Sequence, residues 1–166
     1  MSLLWLTVGL VALERLLELA YSARNARRLL AAGGREAGRR HYPLLVGLHV
    51  AWLLGLLIVV APAEPPRWPL LLVFLALQGL RVWVIASLGW RWTTRVIALP
   101  RAPLVRRGPY RWLRHPNYLV VIAEIAVLPL AFGAWQLALV FTALNLALLR
   151  HRVRIEEQAL AGAVVE

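Results

Sequence analysis

Two short stretches of this chain combine residues that can bind anions, transfer protons and hold hydroxyl groups. The first is Arg-His-Pro-Asn-Tyr at positions 114–118, preceded by Gly-Pro-Tyr at 108–110. Proline is favoured at the first position of a helix, where free N–H groups suit an anion, so Arg114 and His115 are expected at a helix start. Glu124 should lie about two turns deeper, on the face of Asn117. A helix cap with an interhelical hydrogen bond is the structural alternative.

The second stretch is Arg-His-Arg-Val-Arg-Ile-Glu-Glu at positions 150–157. If it is helical, Arg150, Arg154 and Glu157 share one face, whereas Glu156 lies on another face, closer to Arg152. In a solvated tail such pairs form surface salt bridges worth about 0.2–1 kcal/mol. Beside the first stretch, the same carboxylates would bind ribose hydroxyls or an ammonium group.

The composition favours an integral membrane protein. The 166 residues are 61% hydrophobic, with a mean hydropathy of +0.67. The absence of cysteine excludes disulfides, thiolate metal sites and a cysteine nucleophile. No cluster of metal ligands stands out, and no metal is expected. The net charge of +11 is carried by arginine, and its distribution indicates membrane topology and not nucleic-acid binding.

Five apolar segments predict an all-α, multi-pass helical bundle with about five transmembrane helices. They cover residues 3–21, 43–61, 68–88, 116–132 and 134–149, and each approaches the roughly 20 residues that cross a bilayer. The last two, joined near Gly133, predict a tight helical hairpin. We expect one membrane domain over residues 1–166. Residues 1–88 form the three amino-terminal transmembrane helices, and residues 89–166 form the interfacial loop, hairpin and tail.

The arginines predict the orientation of this bundle. Sixteen of the 19 arginines lie in the link at 22–42, in the link at 89–115 or after residue 149. With five crossings, these three stretches are all on the same side of the membrane. Arginine-rich connections stay in the cytoplasm, so the amino terminus is expected outside and the carboxyl terminus inside. The predicted location is the cytoplasmic membrane, with the polar motifs facing the cytoplasm and the lipid bilayer as a partner.

Charges inside the apolar segments have two interpretations. Glu14, Glu18 and Arg15 lie in the first segment and Arg81 lies in the third. A structural Glu–Arg contact between these segments is the simpler one. The alternative makes Glu14 and Glu18 the polar end of a groove for a lipophilic substrate. His49 is expected to be a hydrogen-bonded histidine within the bundle.

The chain resembles the isoprenylcysteine carboxyl methyltransferase family in its Gly-Pro-Tyr and Arg-His-Pro-x-Tyr motifs and its Glu-Glu pair. The resemblance is strongest over residues 88–160. Related phospholipid N-methyltransferases share the arrangement. Motifs at 18–25, 36–43 and 89–94, with His49, further resemble a bacterial subfamily that O-methylates alkylpyrones. The resemblance implies a membrane enzyme that uses S-adenosylmethionine, yields S-adenosylhomocysteine and binds this cofactor between the last two helices and their flanks.

The resemblance also implies roles for individual residues. Those expected around the cofactor, including its pocket wall, are Gly108, Tyr110, His115, Pro116, Tyr118, Glu156 and Glu157. Arg114, helped by Arg154, would orient an anionic group, and His115 or Glu124 would accept a proton from a hydroxyl acceptor. Glu14, Glu18 and Trp92 are the expected acceptor contacts.

The expected acceptor is a lipophilic small molecule with one hydroxyl or carboxyl group. The leading candidate is the hydroxyl of an alkylpyrone-type polyketide. A prenylcysteine carboxylate or a phospholipid amine is the alternative within the enzyme class, and a non-catalytic membrane scaffold or carrier lies outside it. The chain departs from the family pattern at Val120, where a glycine is usual. Since it ends at Glu166, the lid over the cofactor is expected to be reduced or built from the 91–107 loop.

Overall fold

The computed structural model describes residues 2–100, 102–103 and 105–165, with side chains described for all of these except 40 and 160–165. Five helices form the fold, and their bounds are α1 Leu3–Ala31, α2 Tyr42–Val59, α3 Trp68–Leu88, α4 Pro116–Ala131 and α5 Trp135–Val165. The all-α class and the helical hairpin of α4 and α5 are confirmed. However, α1 and α5 run about ten residues or more beyond the predicted apolar segments, since arginine and glutamate are also good helix formers.

Prolines lie at the starts of three helices, and a glycine makes the turn between the last two helices. Pro43, Pro69 and Pro116 lie in the first turns of α2, α3 and α4, where a missing N–H costs little. Gly133, with a φ of 77°, turns the chain between α4 and α5. At this end the backbone N–H of Arg67 donates to the carbonyl of Ala131 at 2.7 Å, joining the start of α3 to the end of α4.

A small antiparallel sheet closes the opposite, arginine-rich end. Strand β1 (Arg35–Ala37) pairs with β2 (Val96–Ala98), with Glu36 opposite Ile97. Within the described residues, this sheet is the departure from an all-helical fold that the sequence did not predict. It joins the α1–α2 link to the α3–α4 link and packs against α5. The three cytoplasmic segments of the predicted topology therefore meet at one end of the bundle.

The core and the outer surface are both apolar. Helix α4 packs most extensively against α3 and α5, and the buried core includes Trp52, Phe74 and Ile125. Large apolar side chains also face outward on every helix: Leu17, Ile58, Val82, Leu119 and Leu139 are each more than half exposed. Soluble monomers rarely expose this much apolar surface, so the faces are suited to lipid.

By length and composition, two helices are able to span a membrane in the described part of the chain. They cover Tyr42–Val59 and Trp68–Arg91, and Pro116–Ala131 is a shorter apolar helix. The crossing helices expected at α1 and α5 carry charged residues within or beyond their apolar parts. The predicted number of five crossings thus exceeds what composition alone establishes.

Candidate functional site

The start of α4 is tied to the carboxyl-terminal half of α5. His115 caps α4, and its ring stacks on Tyr118 with centroids 5.2 Å apart. The Tyr118 hydroxyl donates to Glu156 and accepts from Nε of Arg152 at 2.9 Å. His115 Nδ1 lies 3.9 Å from the Glu156 carboxylate. The two sequence stretches thus form one polar cluster, as their motifs predicted.

This cluster forms part of the wall of a cavity of about 740 Å³ at the arginine-rich end, which we call the mouth cavity. Its wall comprises residues 88, 91–93, 95–98, 105, 106, 110–115, 117, 118, 152, 156, 157 and 159. The predicted site residues Tyr110, Arg114, His115, Tyr118, Glu156, Glu157 and Trp92 are among them. The volume lies within the range of small-molecule and cofactor sites.

The link between α3 and α4 supplies one side of the mouth cavity. Residues 91–93, 95–98, 105 and 106 line it, and β2 is braced by β1 and by an Arg95–Glu36 pair at 3.5 Å. The 91–107 loop expected as a lid therefore does face the cavity. Val120 is 2% exposed and lies in neither cavity wall, so the departure from the family glycine falls in helix packing.

The Gly-Pro-Tyr motif forms a tight 3₁₀ turn at Gly108–Arg111. Gly108 has a φ of 56°, and a Cβ atom there would lie 2.1 Å from the Ser87 hydroxyl oxygen, so glycine is required. This packing presents Tyr110 to the cavity. Burial raises the pKa of Tyr110, and the Glu156 carboxylate raises it further, so the phenol remains a hydrogen-bond donor.

Three predicted cofactor residues do not line the mouth cavity: Gly108, Pro116 and Arg154. Gly108 and Pro116 shape the backbone behind the wall, and Arg154 is exposed and absent from the wall. The position expected of Arg154 is taken by Arg152, which is 7% exposed and holds its guanidinium 5.6 Å from the Tyr118 ring centre. The spacing of Arg152 and Glu156, four residues apart on α5, was the available signal.

The charged residues of α1, α3 and α4 form a buried ionic network: Arg15, Glu18, Arg81 and Glu124. Arg81 binds Glu18 through two nitrogens and Glu124 at 2.8 Å. Arg15 lies 2.9 Å from Glu18 and 3.4 Å from Glu124. The structural contact between the first and third segments is thus present. Glu124 is enclosed by this network and by Gln78. Neither Glu124 nor Glu14 lines the mouth cavity or the second cavity described next.

A second cavity of about 280 Å³ lies inside the bundle, and we call it the bundle cavity. It is lined by residues 12, 15, 16, 18, 19, 42, 45, 46, 49, 50, 53, 81, 92, 94, 117, 118, 121, 145, 149 and 152. Most of these are apolar and come from α1, α2, α4 and α5. Glu18 and Trp92, two predicted acceptor contacts, belong to this wall.

Four residues belong to both cavity walls, and we call them the shared wall: Trp92, Asn117, Tyr118 and Arg152. A ligand in the mouth cavity and a ligand in the bundle cavity would meet there. Asn117 and Arg152 were not predicted as site residues. Among the described residues, no group of three or more His, Cys, Asp or Glu is placed to hold a metal ion.

The model of the isoprenylcysteine carboxyl methyltransferase (ICMT) family matches residues 70–162, more than half of the chain. The chain belongs to this family, whose members are membrane-associated methyltransferases that generally use S-adenosylmethionine. The match covers nearly all of α3, the 89–115 link, α4 and most of α5. It therefore includes the mouth cavity's main elements.

Two uncharacterized bacterial proteins are similar to the chain over almost their whole length. YpbQ of Bacillus subtilis is 35% identical over 160 residues, which cover 94% of this chain and 95% of the relative. A protein of Haemophilus influenzae is 28% identical over 162 residues, covering 94% of each. No solved structure matches the chain significantly.

Proposed function

We propose that this protein is an S-adenosylmethionine-dependent O-methyltransferase that takes a lipophilic acceptor from the bilayer. The observation that carries the proposal is the shared wall of Trp92, Asn117, Tyr118 and Arg152, where the more polar mouth cavity meets the mainly apolar bundle cavity. A water-soluble methyl donor and a membrane-dissolved acceptor need separate entrances and one meeting point. The two cavities supply that arrangement.

The mouth cavity suits the proposed cofactor chemically. Glu156 and Glu157 offer carboxylates to ribose hydroxyls or to an ammonium group, and Arg114 offers a cation to a carboxylate. Tyr110 and His115 add aromatic and hydrogen-bonding surface. When bound, S-adenosylmethionine supplies a methyl group on a positively charged sulfur, ready for attack by an oxygen nucleophile.

The protein's own contribution is alignment at the shared wall and proton transfer to His115, whose ring stacks on Tyr118 of that wall. Tyr118 is fixed by Glu156 and Arg152, so it offers a rigid surface against which an acceptor is positioned. A hydroxyl acceptor loses its proton to His115, whose ring is held beside Glu156; a carboxylate acceptor needs no base. We assign Glu124 a structural role, because its carboxylate is occupied by Arg81 and Gln78.

The bundle cavity suits an acceptor that arrives through the lipid. Leu16 of α1 and Val50 of α2 both line it and are 63% and 52% exposed, so its wall continues onto the outer face. A long apolar chain can lie in such a groove with its polar end at the shared wall. An alkylpyrone-type hydroxyl is the first acceptor to test, ahead of a prenylcysteine carboxylate or a phospholipid amine.

We further propose five crossings, with the amino terminus outside and the mouth cavity on the cytoplasmic side of the inner membrane. Support comes from the arginine distribution and from the meeting of the two arginine-rich links with α5 at the mouth. This orientation gives the mouth cavity direct access to cytoplasmic S-adenosylmethionine.

The decisive test is calorimetric titration of the detergent-purified protein with S-adenosylhomocysteine. We expect micromolar binding that Glu157→Ala weakens at least tenfold. Glu64→Ala is the matched control, because Glu64 is also exposed but lies in the α2–α3 link at the far end. Folded wild-type protein that shows no binding would refute the enzyme and favour a membrane scaffold.

A further inference from the structure

Three polar residues of the bundle cavity lie at a common depth below its arginine-rich end. Each is seven residues, or two helical turns, from a residue near that end: Arg15 from Ser22, His49 from Tyr42, and Asn145 from Arg152. Two turns correspond to about 10.5 Å. Ser22 and Tyr42 both bond Thr94, at 2.7 and 3.1 Å, and the ring of His41 lies edge-on to that of His151 with centroids 5.5 Å apart, so the three reference residues lie near one level. We call Arg15, His49 and Asn145 the deep polar layer.

Each member of the deep polar layer has a hydrogen-bonding atom without a partner. Asn145 is 0% exposed, yet neither its side-chain nitrogen nor its oxygen is bonded, and Arg15 Nε is also unpaired. His49 Nδ1 lies 2.8 Å from the Leu45 carbonyl, which can only accept, so Nδ1 carries the proton. The Nε2 atom of the neutral ring is then an acceptor, and no described group bonds it.

Buried polar atoms that lack a protein partner on a mainly apolar cavity wall are costly, because a desolvated donor or acceptor needs a hydrogen bond. The layer offers donors from Asn145 and Arg15 and acceptors from Asn145 and His49. A ligand group that both donates and accepts hydrogen bonds would satisfy these atoms together. The apolar residue Leu149 lies between Asn145 and Arg152 on the same face of α5 and separates this layer from the shared wall.

The charge of the surroundings selects a neutral ligand group. Arg15 is paired with Glu18 and Glu124, and Arg81 is paired with the same two carboxylates. Glu14 adds a third carboxylate, 3.4 Å from Arg15. Two guanidinium groups thus face three carboxylates, and an anionic ligand would find no uncompensated cation.

We propose that the acceptor carries a second, neutral hydrogen-bonding group, such as a hydroxyl or carbonyl, which binds Asn145 with His49 and Arg15. This inference rests on the proposed function, because the methylated oxygen is placed at the shared wall. The second group lies on the order of 10 Å from that oxygen, two helical turns along α5. The acceptor is therefore a bifunctional lipid and not a hydrocarbon with a single polar end.

The test uses two probes that differ in one group: 4-dodecylphenol, and the same phenol with a hydroxyl on the fifth chain carbon. Both are titrated by calorimetry into the full-length protein saturated with S-adenosylhomocysteine, at equal mole fraction in the detergent. We expect the wild type to bind the hydroxylated probe at least tenfold more tightly. In Asn145→Leu that preference should disappear, while the affinity for plain dodecylphenol is retained.

Thr142→Val is the matched control. Thr142 lies one turn from Asn145 on α5 and also has an unpaired hydroxyl, but it belongs to neither cavity wall. Its loss should leave the tenfold preference unchanged. His49→Phe removes the Nε2 acceptor and keeps a ring, so it should reduce the preference even if Asn145→Leu fails to fold.

The outcomes separate this inference from the proposed function. Without ligand, Asn145→Leu should raise the melting temperature, since it removes an unpaired amide. If S-adenosylhomocysteine binds but the wild type shows no preference, or binds neither probe, the deep polar layer is not an acceptor site and the inference fails alone. A preference that survives Asn145→Leu and His49→Phe also overturns it. Absence of S-adenosylhomocysteine binding refutes the proposed function itself.

Discussion

The ionic network and the polar cluster at the mouth are built from similar residues but differ in their surroundings. Arg81 and Glu124 are 4% and 3% exposed, and every carboxylate oxygen pairs within the bundle. At the mouth, the His115 and Glu156 side chains are 25% and 28% exposed and face a large cavity. Carboxylates that are fully paired stabilise helix packing, whereas the partly exposed carboxylates at the mouth have capacity left for a ligand. This difference predicts separate effects of mutation on folding and on binding.

Removing the central cation of the closed network should have the largest effect. Arg81→Met leaves Glu18 and Glu124 buried without their main partner, which costs about 3–5 kcal/mol. We expect most of the protein to be lost as aggregate in size-exclusion chromatography. Arg67→Met, at an exposed arginine of the α2–α3 link, is the control and should behave as wild type. A stable, monodisperse Arg81→Met protein would contradict the structural role of the network.

Removing one hydroxyl from the open cluster should have a smaller and more selective effect. Tyr118→Phe deletes the group that joins Glu156 to Arg152. We expect S-adenosylhomocysteine to bind about tenfold more weakly, equivalent to about 1.4 kcal/mol, with the melting temperature nearly unchanged. Tyr21→Phe is the control, because the Tyr21 hydroxyl makes no hydrogen bond with the described residues. A large loss of stability in Tyr118→Phe would remove the distinction between the two clusters.

The smallest effect is expected from His41, which lies beside His151 of α5 with ring centres 5.5 Å apart. Burial lowers the pKa of His41, and the positive charge of Arg152 and of His151 lowers it further. The unfolded chain therefore binds this proton more readily, and stability should fall as the pH drops below about 6.5. His41→Gln should reduce the decline in melting temperature measured between pH 7 and pH 5. An unchanged decline would assign it to other groups.

The sequence was sufficient to predict the presence and order of the five helices and seven of the 22 residues that line the mouth cavity. Apolar periodicity and helix-starting prolines are local signals, and the Arg-His-Pro-x-Tyr and Glu-Glu motifs carry their own spacing. The bundle cavity was not predicted, because its wall combines residues as distant as Ala12 and Arg152. Asn145 was missed for the same reason: an asparagine in an apolar segment gives no sign of whether a neighbouring helix will supply its partner. Strands of three residues, such as β1, are too short for a periodic signal.

The length of α4 has a consequence for the membrane in which the protein works. Its 16 residues extend about 24 Å, several ångströms less than the roughly 30 Å hydrocarbon thickness of a typical bilayer. In the proposed five-crossing arrangement, a helix shorter than the bilayer core, such as α4, either thins the surrounding bilayer or has its ends below the lipid headgroups. His115, at the start of α4, then lies at a depth that a lipid's polar end reaches without leaving the leaflet. Under the proposed function, bilayer thickness would then be a determinant of turnover, because a thicker membrane would hold the acceptor farther from the methyl donor.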